Sequence, residues 1–276
     1  MTDPFFRTLA WQAAARYGGA GRFAQHFAFG KLASDPAFAH ILRHGLIPCG
    51  SRILDLGCGQ GLLAALLETA RDRRSAWPST LPSPPDPIAY VGIDARHRDI
   101  DRARFALDGR TRFVCGDIRG ERYAPTDVVV LLDVLHYLDP GAQDDVLRRV
   151  RIALGGGGVL LMRIADASRT WRFRYTVATD RLACALRGQR VDRFHCRPLG
   201  AWVRALEALG FATRATPLTG GPSFANVFVV ARYDPDAGNE ASPHFGVHDD
   251  KLPRSRRRRD SRIFSVGVER PRTVHV

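Results

Sequence analysis

Residues 53–61, Ile-Leu-Asp-Leu-Gly-Cys-Gly-Gln-Gly, constrain this chain more than any other stretch. A short apolar run closes on an acid, Asp55, and glycines follow at every second position: Gly57, Gly59 and Gly61. The next run, Leu62-Leu63-Ala64-Ala65-Leu66-Leu67, consists of strong helix formers. A buried strand therefore feeds a tight glycine turn that opens a helix. Glycine reaches positive φ at little cost and leaves bare backbone for a ligand to lie on. Asp55 puts a negative charge at the strand's carboxyl end, the edge where open α/β sheets bind ligands. The spacing is G-x-G-x-G rather than the G-x-G-x-x-G of dinucleotide sites. An acid two residues before the first glycine repels a pyrophosphate and attracts a cation such as an amino acid's ammonium. A nicotinamide reductase is argued against on this ground.

Four further strands follow in order. Residues 88–93 form an apolar run ended by Asp94, placed to accept both ribose hydroxyls of a nucleoside. Residues 111–116 form a third strand, followed by Asp117-Ile118. Residues 127–132 form a fourth, which runs into Asp133-Val134-Leu135-His136-Tyr137-Leu138. Residues 154–161 give a glycine turn and a fifth strand. A helix is expected over 198–209, then strands near 211–217 and 224–231, joined by a turn at Gly220-Gly221-Pro222. Taken singly, each acid reads equally well as a solvated strand end or a helix cap.

Taken together, the D-x-G-x-G-x-G run and the ordered acids resemble the class I S-adenosylmethionine (SAM) dependent methyltransferases, over residues 50–232. The resemblance implies an α/β, Rossmann-like sheet of seven strands in the order 3-2-1-4-5-7-6, with SAM as cofactor. It assigns cofactor binding to Asp55, Gly57, Cys58, Gly59, Gly61, Asp94, Ala95, Asp117, Ile118 and Asp133, with Asp117 accepting from the adenine amino group. It also implies a helical lid over residues 1–45, ahead of a SAM-binding domain over 46–233. Residues 5–45 read as two or three short helices carrying Phe5, Phe6, Leu9, Trp11, Tyr17, Phe23, Phe27, Phe29, Phe38 and Leu42. An amphipathic pair docked on the sheet, or a helix lying on a membrane surface, also suits that pattern.

The fourth-strand tail is typical of the family's small-molecule branch. Gly30-Lys31-Leu32-Ala33-Ser34-Asp35-Pro36, the Asp133–Leu138 run and Phe224-Ala225-Asn226-Val227 loosely resemble methyltransferases of aryl-polyene or xanthomonadin pigment pathways. That likeness implies secondary metabolism and an aromatic or acyl acceptor, free or held on an acidic acyl carrier protein. The arginine-rich stretch 163–197 is the expected acceptor-side segment, and its charge suits a carboxylate or an acidic carrier as well as a plain solvated surface. Methyl transfer needs alignment above all. A phenol or alcohol must also lose a proton, and His136 is the candidate base. Tyr137, Asp133 and Tyr17 are the other candidates. No metal is expected.

Composition narrows the alternatives. Five cysteines, an odd number without C-x-x-C spacing, argue against disulfides and zinc and suit a reducing cytoplasm. No apolar run nears the ~20 residues of a membrane span, and the N-terminus lacks a secretory pattern. The net charge of +13 raises an RNA methyltransferase as an alternative, with a non-catalytic SAM-binding protein as another. All but Lys31 and Lys251 of the 41 basic residues are arginine, a bias that says more about codon usage than about a nucleic-acid partner. Residues 71–87, with five prolines, are expected as an exposed, mobile insertion. Residues 234–276 lose periodicity and read as a disordered basic tail.

Overall fold

A computed structural model describes residues 3–107, 109–168, 194–218 and 226–233. The strands are β1 (Arg52–Leu56), β2 (Ala89–Asp94), β3 (Thr111–Cys115), β4 (Val128–Leu132), β5 (Val159–Ala165), β6 (Phe211–Pro217) and β7 (Asn226–Tyr233). The helices are α1 (Pro4–Ala15), α2 (Arg22–Ser34), α3 (Pro36–Arg43), α4 (Leu62–Asp72), α5 (His97–Ala106), α6 (Pro140–Leu154) and α7 (Leu199–Glu207).

Strand alternation decides the layering. Ile53, Val128, Val130, Val159 and Leu161 point to one face and pack with α1–α5. Leu54, Leu56, Val129, Leu131, Leu160 and Met162 point to the other and pack with α6 and α7. With both faces covered, the central strands must be apolar throughout, which is why they read as unbroken runs. The sheet order is β3-β2-β1-β4-β5-β7-β6, as the resemblance implied. β1 to β5 pair in parallel, and β7 pairs antiparallel with β5 and β6. The order reverses between β1 and β4, and the crevice at such a reversal is where an open sheet holds its ligand.

Asp-Pro dipeptides start three of the helices. Asp3, Asp35 and Asp139 each cap a helix whose first residue is proline, accepting from the amides of Phe5, Ala37 and Ala142. The carboxylate satisfies an orphan donor, and proline gives up an amide that has no partner there. Among the described residues no helix is long and apolar enough to cross a membrane.

Residues 71–87 are mostly exposed or half-buried, with one docked stretch. α4 runs on to Asp72, and one 3₁₀ turn follows at Arg74–Ala76. The rest is docked in part: Pro84 and Pro85 are buried, and Ser79, Thr80, Pro82 and Ser83 are exposed. Trp77 stands edge-on to Phe5 at 5.2 Å, and its indole N–H donates to the Pro82 carbonyl at 2.8 Å. Gly50 donates to the Asp86 carbonyl at 2.9 Å. An aromatic anchor and shared backbone bonds hold a segment that composition alone marks as loop. The tail 234–276, the turn at 220–222 and residues 169–193 of the arginine-rich stretch lie outside the described residues. Trp77→Ala should destabilise the protein by about 1–3 kcal/mol in denaturant melts and raise tryptic cleavage at Arg74. An unchanged cleavage pattern would mean that the prolines hold the segment without the ring.

Candidate functional site

The site is built on one backbone fold-back. After β1 the amides of Gly57 and Cys58 both donate to the Ile93 carbonyl, at 2.7 and 3.1 Å. The loop therefore bends onto the end of β2. Gly57 has φ +77°, and a Cβ there would overlap the Val134 side chain just after β4. Gly59 has φ +56° and open space where a Cβ would stand. Gly61 precedes α4 in the left-handed region. The tips of β1, β2 and β4 thus interlock, and the backbone at Gly59 stays uncovered.

Two carboxylates border this loop. Asp94 accepts from the Gly59 amide at 2.9 Å and from the Arg96 amide at 2.8 Å. Each oxygen keeps a second lone pair for a hydroxyl. Burial raises its pKa, and the two amides oppose the rise. Asp55 is buried and accepts a short hydrogen bond from the Tyr90 hydroxyl. Burial pushes its carboxyl up to about 7, the Tyr90 bond pulls it down, and the Asp94 charge raises it. Cys58 is a buried thiol held well above its ordinary pKa by burial and by Asp55 and Asp94, which makes it a packing group. Ala95 is exposed at the mouth of the α5 turn.

Asp117 lies further out along the same edge. It is exposed and paired with Arg119, Nη2 to Oδ2 at 2.6 Å, and that bond holds its pKa low. Ile118 is buried in the core beneath it. Its carbonyl accepts from Tyr123 at 2.6 Å and Arg149 at 3.0 Å, which fixes the turn.

On the β4 side, Asp133 is the one non-glycine residue with positive φ, +58°, among the described residues. Its carboxylate turns to Arg163, Nε to Oδ1 at 2.6 Å, and lies 3.5 Å from the Lys31 amine. Asp133 therefore reaches the site through its backbone bend, with its carboxylate already engaged. His136 is buried, and its Nε2 has no hydrogen-bond partner among the described residues. Burial, and then the Lys31 charge, lower its pKa to about 4, so the imidazole is neutral at ordinary pH. The Tyr137 ring lies 4.2 Å and the Phe194 ring 5.1 Å from it. Tyr137 is partly exposed at the rim.

Tyr17, one of the candidate proton acceptors, is corrected by the structure. It is fully buried, its hydroxyl donates to the Gln60 carbonyl at 2.7 Å, and burial raises its pKa far above the ordinary range. Gln60 in turn donates to the Ala24 carbonyl at 2.9 Å. These bonds tie α1 and α2 to the glycine loop. Tyr90, Gln60, Gln143 and Arg163 escaped the sequence reading as site residues. The available signal was a polar group set inside a buried apolar stretch, which must find a partner.

Comparison with known proteins agrees with this architecture. A family model described as a methyltransferase domain matches residues 24–216. A carboxy-S-adenosyl-L-methionine synthase of Chromohalobacter salexigens is 32% identical over 118 residues, 41% of this chain and 39% of that protein. The chain thus spans about two fifths of that curated relative. The structure of the pyocyanin biosynthetic protein PhzM is similar, with TM-score 0.55 and 22% identity over 80% of this chain and 61% of that one. Magnesium protoporphyrin IX methyltransferase of Synechocystis PCC 6803, crystallised with S-adenosylhomocysteine (SAH), gives TM-score 0.52 and 18% identity over 83% of this chain and 97% of that one. The chain belongs to the methyltransferase-domain family, and its fold is that of the SAM-dependent methyltransferases it resembles.

Two outcomes test the loop. Gly59→Ala should cost SAH affinity at least tenfold by calorimetry with a melting temperature only a few degrees below the parent, because its methyl enters open space and the one cost is the left-handed φ, about 1–2 kcal/mol. Gly57→Ala should lose both, through the overlap with Val134. The acid supplies a second test. A carboxyl with a folded pKa of about 7, against an ordinary 3.8, loses folded stability as pH climbs from about 4 to about 7. Asp55→Asn keeps an acceptor for Tyr90 and removes the buried charge. At pH 8 the variant should melt about 2–8 °C higher than the parent yet bind SAH more weakly. A lower melting temperature would show that the carboxylate is stabilising in the ligand-free protein.

Proposed function

We propose that this methyltransferase alkylates a small-molecule acceptor with an aromatic or acyl body, free or carried on an acidic carrier protein. The observation that carries the reading is His136, a buried neutral imidazole with an unpartnered Nε2, walled by Tyr137 and Phe194 just beyond β4. The residues present suit SAM: a bare glycine backbone at Gly59, a carboxylate at Asp94 with lone pairs free for hydroxyls, and a buried acid at Asp55. When bound, SAM supplies an electrophilic methyl on a sulfonium.

In this reading Asp55 meets the ammonium of the methionine part, and the incoming charge favours its ionised form. Asp94 accepts from the ribose hydroxyls and Asp117 from the adenine amine, with Ala95 and Ile118 shaping the adenosine wall. The Asp117 role requires Arg119 to share or yield its contact. α1–α3 act as the lid, tied to the glycine loop by Tyr17 and Gln60. His136 accepts the hydrogen bond of the acceptor's O–H and takes its proton as the new bond forms. Tyr137 and Phe194 hold the acceptor's apolar body, and Lys31 offers positive charge nearby.

A second reading comes from the carboxy-SAM synthase relative: a carboxylated sulfonium would be the product, with no methyl acceptor. Mass spectrometry separates the two, because methyl transfer releases SAH and a heavier acceptor. His136→Ala should slow methylation of a phenol by about 10²–10⁴ while SAH affinity stays within a few fold. A thiophenol already ionised at assay pH should be far less affected. Equal loss on both acceptors would make His136 a packing residue. With its pKa near 4, the rate profile of the parent should show no bend near pH 6.5.

A further inference from the structure

Four charged side chains meet where the N-terminal helices touch the tips of β4 and β5. Arg163 on β5 lies opposite Leu132 in the sheet register, so it sits beside the residue that precedes Asp133. It is 4% exposed. Its guanidinium grips Asp133 in a two-pronged pair through Nε and Nη2, and its Nη1 reaches Asp35. Lys31 adds a bond to Asp35 at 2.8 Å. The four charges sum to zero. Burial pushes the Asp35 pKa upward, yet Arg163 and Lys31 outweigh it and hold the carboxyl well below its usual range. Asp35 also caps α3.

The backbone next to this cluster is strained. A non-glycine residue in the left-handed region costs about 1–2 kcal/mol and persists only when its surroundings hold it there. The bend at Asp133 delivers Val134 to the spot that a Cβ on Gly57 would occupy. One buried guanidinium therefore touches the bend that seats the glycine loop and the junction of α2 and α3.

We propose that Arg163 is a positioning residue: by holding Asp133 in its left-handed bend it keeps Val134 seated on Gly57, and through Asp35 it couples that bend to closure of α1–α3 over the site. The idea rests on the glycine loop being where SAM binds. Arg163 touches neither cofactor nor acceptor in this scheme. A plain structural ion pair would set stability alone. A positioning role also sets cofactor affinity, in a way that the backbone at residue 133 can rescue, since glycine adopts φ +58° unaided.

The experiment is SAH calorimetry beside thermal melts on the full chain. Arg163→Met should weaken SAH at least tenfold and speed proteolysis within residues 22–35. Adding Asp133→Gly should return affinity to within about threefold of the parent, whereas adding Asp133→Ala should not. Both pairs remove the same buried charges, so any difference belongs to the bend. Where Arg163→Met fails to fold, Asp133→Gly against Asp133→Ala in the parent makes the same comparison. Equal affinity of the Gly and Ala variants, or parent-like SAH binding by Arg163→Met, overturns the proposal. Failure of the parent to bind SAH would instead sink the site reading on which it rests.

Discussion

Two amides on one carbonyl hold the functional edge of this protein together. Gly57 and Cys58 both donate to Ile93, and this join sets where every neighbouring group points. Each bond is worth on the order of 1 kcal/mol net, so the join matters less for stability than for direction. It turns the Gly59 amide onto Asp94 and leaves the Gly59 backbone uncovered. It also makes the hollow at Gly57 into which Val134 fits. Loops from β1, β2 and β4 lock as one unit, and none reaches this geometry without the others.

The carboxylates of this edge fall into two kinds, and their partners tell them apart. Asp35 and Asp133 face guanidinium and ammonium groups, so their charge is matched within the protein. Asp55 and Asp94 are held by a hydroxyl and by backbone amides, and among the described residues neither is ion-paired. Burial raises the pKa of both, and at Asp94 the two amides and then the Arg96 charge oppose the rise. An acid left in this state has most to gain from a positive or hydroxyl-bearing ligand. The unmatched pair flanks the glycine loop, and the matched pair joins helices to strands. The difference separates acids whose charge the fold already matches from acids whose charge it leaves unpaired.

The sheet was legible because its information is local. Apolar runs of strand length, each closed by an acid, place β1 to β4 and their order follows from family topology. Asp-Pro pairs mark helix starts just as locally. The partnerships were illegible because they are distant. Arg163 and Asp35 lie 128 residues apart, and Asp133 and Lys31 lie 102 apart. Nothing in either neighbourhood announces the other. Tyr17 looked available for chemistry because a hydroxyl in a helical segment has no visible destination, and its destination is the Gln60 carbonyl 43 residues on. The docked part of the proline-rich insertion is hidden from the sequence for a related reason. Proline excludes helix and central strand, but it does not exclude docking, and Trp77 supplies the anchor.

His136 owes its position to the core and not to the rim. Gln143, fully buried on α6, directs its amide nitrogen at the carbonyls of Leu135, Leu138 and His195, at 2.9, 3.0 and 2.7 Å. The His195 amide then donates to the His136 carbonyl at 2.8 Å. An amide with two protons among three carbonyls is shared, and such sharing fixes a turn more firmly than any one bond. The turn that carries the imidazole is thus held by a side chain of α6, the helix that also buries Val146, Leu147 and Val150. Tyr137, by contrast, is exposed, and Phe194 is half-buried between it and His136. The turn that carries His136 is therefore set from the core side, through Gln143 and the His195 amide, and not by the aromatic rings beside it.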